Sequence, residues 1–462
     1  MNKEETFSVD LHSMRQYFNA GHTISYEFRK KQLLLLKEMI ETNEEEIFAA
    51  LYADLNTSRE EAYATETGLV IAEITFALKR LRKWMHPKRV KTNFLNFPSS
   101  TRIYRDPLGV VLIIGSWNYP FQLAVMPLIG AIAGGNCAVI KPSEGAPATS
   151  AILAKIFTKT FSPEYISVAE GEGSKVVPAM MESFRFDHIF YTGSGNVGKS
   201  IYQAAAKDLI PVTLELGGKS PAIVEADADM KTTARRIVLG KFVNAGQTCV
   251  APDYILVHEA VKETLLAELK KYTEEFFGKN PAESAEYGKI INEKRFDSLL
   301  SYLNGSGKKY SGGEYNREKL FIAPTILTDI SMQDSIMKEE IFGPLLPVIP
   351  FKEREEALGM IRENDKPLSF YLFSDNNESV KWWMERVSFG GGCVNNTIWH
   401  LSNPNLPFGG VGGSGIGNYH GKYSFETFTH AKPVMKTPVW FDPGMKYPPY
   451  KGKLNLLKKL IR

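Results

Sequence analysis

From residue 110 to 224 the chain alternates short, almost wholly apolar runs with stretches of helical periodicity, and this rhythm constrains the fold more than any other feature. Val110–Gly115, Cys137–Lys141, Tyr165–Val168, His188–Thr192 and Val212–Leu216 read as strands. Between them Gln122–Gly134, Ala148–Phe161, Val176–Ser183 and Val197–Lys207 read as helices. Strands without polar alternation are buried on both faces, which calls for parallel sheets covered by helices on both sides. The alternation resumes with Ala222–Glu225, a helix over 230–245, Tyr254–His258, a helix over 261–277, Leu346–Pro350, a helix over 353–363, Leu368–Phe373 and Val394–Asn395. The expected fold is α/β, with two Rossmann-like doubly wound units. Such sheets bind ligands at the carboxyl ends of their strands, so the crevice between the units is the expected active site.

Residues 24–55 and 58–86 place apolar and charged positions at helical spacing, predicting two long N-terminal helices. Residues 87–105 are basic, strand-like and interrupted by prolines, as expected of a projecting hairpin. The resulting map assigns 1–86 and 106–211 to a first unit, rejoined near 395–430, and 212–394 to a second. A small β element comprises 87–105 and 431–445, and a basic tail covers 446–462. At 462 residues, two or three domains with ample core are expected. The formal charge of +3, from 55 basic and 52 acidic residues, gives no argument for a nucleic-acid partner. Three widely spaced cysteines make no disulfide framework. The polar start lacks the apolar core of a signal peptide, and no apolar run reaches the ~18 residues of a membrane span. The expectation is a soluble protein of a reducing, cytoplasmic compartment, with no resident metal.

Cys249 and Glu215 are the candidates for the chemistry, although a buried cysteine is more commonly a small packing residue. Cys249 lies in Phe242-Val-Asn-Ala-Gly-Gln-Thr-Cys-Val-Ala-Pro252, where helical periodicity runs into a Gly-Gln-Thr break. A side chain there is held by a rigid element yet stays reachable. Glu215, 34 residues upstream in Leu214-Glu-Leu-Gly-Gly-Lys219, offers a carboxylate able to activate water. Val110-Val-Leu-Ile-Ile-Gly-Ser-Trp-Asn-Tyr-Pro120 ends a buried strand at Asn118, whose amide could hold a developing oxyanion or simply complete a turn. Lys141 and Glu144, in Lys141-Pro-Ser-Glu144, suit a diol or form a solvated loop pair. Gly193-Ser-Gly-Asn-Val-Gly-Lys-Ser200 follows a strand and opens a helix. It fits a triphosphate-binding P-loop, a dinucleotide fingerprint, or a turn that only packs helix on strand. Under the P-loop reading Glu225 would stand in, poorly, for the acid that holds magnesium.

Taken together, these segments resemble the aldehyde dehydrogenase superfamily from about residue 20 to 450. The resemblance rests on Trp117-Asn-Tyr-Pro120, Lys141-Pro-Ser-Glu144, Tyr191-Thr-Gly-Ser194, Glu215-Leu-Gly-Gly218, Gly246-Gln-Thr-Cys249, Glu340-Ile-Phe-Gly-Pro344 and Pro407-Phe-Gly-Gly410, in the family's order and spacing. Trp-Asn-Tyr-Pro, a short N-terminus and Tyr419-His-Gly-Lys-Tyr-Ser-Phe-Glu-Thr-Phe-Thr-His430 look like its class 3 branch. The resemblance implies that Cys249 attacks the aldehyde and that Asn118 and the Cys249 N–H hold the oxyanion. It makes Glu215 the base that hydrolyses the thioester. It puts Lys141 and Glu144 on the adenosine ribose of NAD or NADP, Ser194 and Trp117 on the pyrophosphate, and Glu340 with Phe342 on the nicotinamide side. It needs Gly193, Ser194 and Gly198 for itself, so Lys199 and Ser200 complete the P-loop expression by accident.

The resemblance further implies apolar substrates (medium or long aliphatic, aromatic or polyene aldehydes), an esterase side activity, and a homodimer joined through 88–105 and 433–441. Acyl-phosphate-reducing cousins lack a base at the position of Glu215, and a non-catalytic relative should have lost Cys249, Glu215 or Asn118; all three are present. Tyr119, Trp399 and His400 are candidates for an apolar aldehyde tunnel, although aromatic core packing is the commoner fate of such residues. Cys137 and Cys393 read as packing thiols and His420 as a structural hydrogen-bonding histidine. The tail Lys451-Gly-Lys-Leu-Asn-Leu-Leu-Lys-Lys-Leu-Ile-Arg462 sets Leu454, Leu457 and Ile461 at helical spacing among five basic residues. It could lie on an anionic membrane or pack on the folded body.

Overall fold

The computed structural model describes residues 7–461. The apolar runs become two sheets. The first has six strands in the order Gly415–Ile416, Val212–Glu215, His188–Thr192, Val110–Ile114, Cys137–Lys141 and Ile166–Val168. All pair in parallel except Gly415–Ile416, which adds an antiparallel edge beside Glu215. Val110–Ile114 and Cys137–Lys141 are buried at every position, the burial that continuous Val, Ile and Leu runs require. The second sheet has seven strands in the order Lys308–Ser311, Thr325–Thr328, Leu345–Phe351, Tyr254–His258, Pro221–Val224, Ser369–Phe373 and Gly391–Val394. Each sheet carries its own apolar core.

Val212–Glu215 pairs with His188–Thr192, so it belongs to the first sheet rather than to the second unit expected from 212. The chain crosses over only after Gly217 and Gly218, at Pro221. The return near 395–430 supplies the Gly415–Ile416 edge and the helix Gly421–Thr427, whose Ser424 and following Phe428 pack closely on Gly130 of the helix Gln122–Gly134. The basic hairpin forms a three-stranded sheet: Lys88–Val90 pairs with Ser100–Pro107, which pairs along its full length with Thr429–Lys436. That last strand stops at Lys436, short of the Phe441 expected, and Val439 and Trp440 lie exposed beyond it.

The N-terminal region is more broken than its periodicity suggests. The helix expected over 24–55 divides at Asn43 into Tyr26–Thr42 and Glu44–Leu55. The one expected over 58–86 contains a π-helical turn, Tyr63–Thr67, between Arg59–Ala62 and Gly68–Met85. The tail forms the helix Leu454–Ile461, on which Leu454, Leu456 and Ile461 stay exposed. Arg462 and the side chain of Leu460, both counted in that expected amphipathic surface, lie outside the described residues. Among the described residues no helix is long and apolar enough to cross a membrane.

Candidate active site

Cys249 sits where the second unit meets the first. The helix Met230–Phe242 stops earlier than the 245 its periodicity implied, and Val243–Gly246 makes a tight turn instead. Asn244 and Ala245 adopt left-handed backbone with φ of 52° and 50°. Non-glycine residues held there cost about 1–3 kcal/mol each and persist only when the surroundings over-determine them. The surroundings here are hydrogen bonds. The Asn244 amide donates to the carbonyls of Asn118 at 2.7 Å and Gln247 at 3.3 Å. Gln247 donates to the Asn244 and Lys289 carbonyls at 3.1 and 3.0 Å and accepts the Ile291 N–H at 3.0 Å. The Asn118 amide donates to the Gln247 carbonyl at 3.0 Å, and Tyr119 pairs its hydroxyl with that of Thr248 at 2.6 Å. The strand-end loop carrying Asn118 and the loop carrying Cys249 are thereby locked together. One hydrogen of the Asn118 amide is left for another acceptor.

A cavity of about 520 Å³, the size of a small-molecule site, brings Cys249, Glu215 and Tyr119 to one wall system. Leu69, Leu239, Phe276, Phe277 and Ile398 make most of the rest apolar. Burial pushes the Cys249 thiol up to about 12, with the nearby Glu340 and Glu215 carboxyls adding to the rise. The backbone N–H groups of Cys249 and Val250 pull the other way. Glu215, at the end of its strand and only 3 % exposed, has no hydrogen-bond partner on either oxygen. Burial alone raises its carboxyl well above the ordinary range. A carboxyl so raised, facing a cavity beside a thiol, has the character of a general base site.

The residues expected to hold a cofactor gather at the carboxyl ends of the first sheet. The buried Lys141 donates to Glu144 at 2.9 Å, and Glu144 also accepts the Gly173 N–H at 2.9 Å. Burial would raise Glu144, but Lys141 and that N–H outweigh it and hold the carboxyl below its usual range. Ser194 precedes the helix Gly195–Ala206 without capping it, and open space lies over Gly195, so the first-turn N–H groups are free for phosphate. Gly198 packs helix on sheet: a Cβ there would lie 2.7 Å from Leu216. Gly193 faces the Tyr191 hydroxyl, where a Cβ would come within 2.3 Å. The Trp117 and Phe342 rings meet edge to face at 5.3 Å. Glu340 presses on Gly217 so closely that a Cβ would sit 1.8 Å from its Oε2. Burial, with the charge of Asp253, lifts Glu340 to about 8. An uncapped helix start, a lysine–carboxylate pair at a strand end and glycines that keep the approach open fit a dinucleotide.

The aldehyde dehydrogenase family profile matches residues 3–434. The chain belongs to the aldehyde dehydrogenase family. It is 46% identical over 453 residues to the 4,4'-diaponeurosporen-aldehyde dehydrogenase of Staphylococcus aureus, covering 98% of both chains. It is 43% identical to aldehyde dehydrogenase family 3 member A2 of Pongo abelii, covering 98% of this chain and 94% of that one. The substrate-bound structure of Staphylococcus aureus AldH superposes with a TM-score of 0.95 at 46% identity over 98% of each chain. The NAD+ complex of a Bacillus cereus aldehyde dehydrogenase superposes at 0.83 with 27% identity, over 92% of this chain and 88% of that one. The protein is an NAD(P)-dependent aldehyde dehydrogenase with a small-molecule aldehyde as substrate.

This aldehyde dehydrogenase departs from two of the sequence expectations. The P-loop alternative fails on position: Lys199 is exposed on the helix surface, and the Ser200 hydroxyl turns back to the Asn196 carbonyl at 3.1 Å. Glu225 lies on the other sheet, where it accepts from Arg354, Ser379 and Trp383 at 2.8, 3.0 and 2.7 Å. Among the aromatic tunnel candidates, Tyr119 and Trp399 line the cavity but His400 does not. The His400 ring turns away, to Ser369 at 3.5 Å and Cys393 at 3.7 Å, and stacks on Phe408. His420 does reach the cavity wall while its Nδ1 meets the Leu401 carbonyl at 2.9 Å. Sequence reasoning missed Asn244 and Gln247, whose polar side chains in a Gly-rich break were the available signal.

Proposed function

We propose that this enzyme oxidises apolar aldehydes, of medium or long aliphatic, aromatic or polyene type, through a thioester on Cys249. The observation that carries the reading is the shared, mostly apolar cavity where the Cys249 thiol and the unpaired Glu215 carboxyl meet. The Staphylococcus aureus relative, named for 4,4'-diaponeurosporen-aldehyde, supports including polyene aldehydes.

Cys249 releases its proton to solvent and its sulfur attacks the carbonyl carbon, while the carbonyl π pair moves to oxygen. That oxygen is held by the free hydrogen of Asn118 and the Cys249 N–H. When bound, NAD or NADP supplies the acceptor for the hydride that leaves this carbon. Lys141 and Glu144 would hold its adenosine ribose, Ser194, Gly193 and Trp117 its pyrophosphate, and Glu340 with Phe342 its nicotinamide side. Glu215 then takes a proton from water, whose oxygen attacks the thioester. The C–S bond breaks, the sulfur takes back the proton held by Glu215, and the acid departs as carboxylate after losing its proton to solvent. The test is initial rates over aldehydes of graded length with each cofactor. Rates that rise with apolar length support the reading, and a preference for short or charged aldehydes overturns it.

The same reading takes 1–86 and 106–211, with the return near 395–430, as the cofactor domain and the second sheet as the catalytic domain. The enzyme assembles as a homodimer through the three-stranded arm, whose exposed Phe94, Phe97, Val439 and Trp440 leave an apolar surface to be covered. Light scattering at micromolar concentration should give twice the 51.8 kDa chain mass, and a monomer would refute it. The exposed leucines of Leu454–Ile461 beside Lys458 and Lys459 support weak contact with anionic membranes.

A further inference from the structure

The π-turn at Tyr63–Thr67 interrupts an otherwise α-helical run, and such turns are rare and concentrate at functional sites. One glutamate, Glu61, lies two residues before it and another, Glu66, within it. Glu61 accepts the backbone N–H of Asn244 at 2.8 Å, and the buried Glu66 accepts that of Gln122 at 2.6 Å. In a regular α-helix, side chains five residues apart diverge by about 140°. Where the hydrogen bond itself spans five residues, they come onto one face. Gly68 closes this wide turn by donating to the Tyr63 carbonyl, and a Cβ on Gly68 would lie 2.6 Å from that oxygen.

The two acceptors reach the two loops that matter. Asn244 is one of the left-handed pair before Cys249, and its side chain bridges the Asn118 and Gln247 carbonyls. Gln122 begins the helix that follows Asn118-Tyr119-Pro120, and that helix has no side-chain cap from Phe121. We infer that Glu61 and Glu66 are positioning residues: brought together by the π-turn, they clamp the Asn118 loop and the Cys249 loop in register, Glu61 by holding the strained Asn244–Ala245 turn and Glu66 by capping the helix behind Asn118. The clamp rests on the roles assigned above to Cys249 and Asn118.

Glu61 also lines the cavity, so a substrate contact has to be separated from a clamp. A contact changes KM, most strongly for long aldehydes. A clamp changes kcat for every substrate, because displacement of reacting groups by about 1 Å costs up to ~100-fold. The experiment measures kcat and KM of Glu61→Ala, Glu61→Gln, Gly68→Ala and Cys249→Ala with a short aldehyde, a long aldehyde and a small ester. Glu61→Ala should lose ~10- to 100-fold in kcat on all three with KM for NAD unchanged. Glu61→Gln keeps an oxygen for the Asn244 N–H and should restore most of the rate with the wild-type pH profile. Gly68→Ala should lower kcat in the same uniform way, and it carries the test if Glu61→Ala does not fold. Wild-type kcat in Glu61→Ala or Gly68→Ala, a loss confined to KM, or failure of Glu61→Gln to rescue overturns the clamp. Turnover by Cys249→Ala would instead overturn the assignment beneath it.

Discussion

Replacing Glu215 by glutamine separates the two halves of the reaction. The side chain lies buried at the end of Val212–Glu215, between His188–Thr192 and the Gly415–Ile416 edge, with neither oxygen bonded. An amide of the same shape inherits that environment without the cost of keeping a proton there, so the variant should melt no lower than the wild type near neutral pH. The chemistry should not survive so well. A positioned base contributes ~10²–10⁴-fold, so steady-state turnover should fall by that factor while hydride transfer continues. Stopped-flow absorbance should record a burst approaching one NADH per site, then a slow phase. The pH dependence carries a sign. Burial raises the folded carboxyl well above its ordinary value, so it keeps its proton into a range where the unfolded chain has lost it. Deacylation by the wild type should therefore rise with pH as the carboxyl ionises. The group's contribution to stability should fall over the same range, because the folded state binds the extra proton. Glu215→Gln should lack both slopes. An unchanged steady-state rate, or a burst absent with acylation intact, would refute the reasoning.

Two further outcomes follow from the geometry. Glu144→Gln removes the carboxylate that Lys141 holds and should shift the preference from NAD toward NADP, measured as the ratio of kcat/KM values; a wild type that used NADP alone would contradict it. Deleting 451–462 should lower co-sedimentation with anionic vesicles at low salt and leave aldehyde oxidation unchanged, and equal sedimentation of both chains would leave the tail without a membrane role.

The sheets were legible because their strands are continuous apolar runs, and Cys137–Lys141, His188–Thr192 and Tyr254–His258 fall where those runs lie. The stretch 278–345 was not, because its strands are short: Tyr315–Asn316 and Phe321–Ile322 pair over two residues each, too few to display a period. The helix Glu293–Gly305 in that stretch buries only Phe296, Leu299 and Leu303, a sparse apolar stripe. The π-turn left only Gly68 as a trace, since no proline or glycine pair marks it. Cys249, Glu215 and Asn118 announced themselves by motif. Glu61 did not, because its partner Asn244 lies 183 residues away and only the folded packing joins them. His400 shows the opposite failure: an aromatic residue beside Trp399 looked like tunnel wall, yet the turn Trp399–Ser402 aims it at Ser369 and Cys393 instead.

The thioester itself is the most direct test. Glu215→Gln, mixed with a long aldehyde and NAD and quenched in acid during the burst, should yield an acyl adduct on the peptide that contains Cys249. The peptides of Cys137 and Cys393 should be unmodified, and Cys249→Ala should give neither adduct nor NADH. An acyl group on another residue, or turnover by Cys249→Ala, would contradict the account.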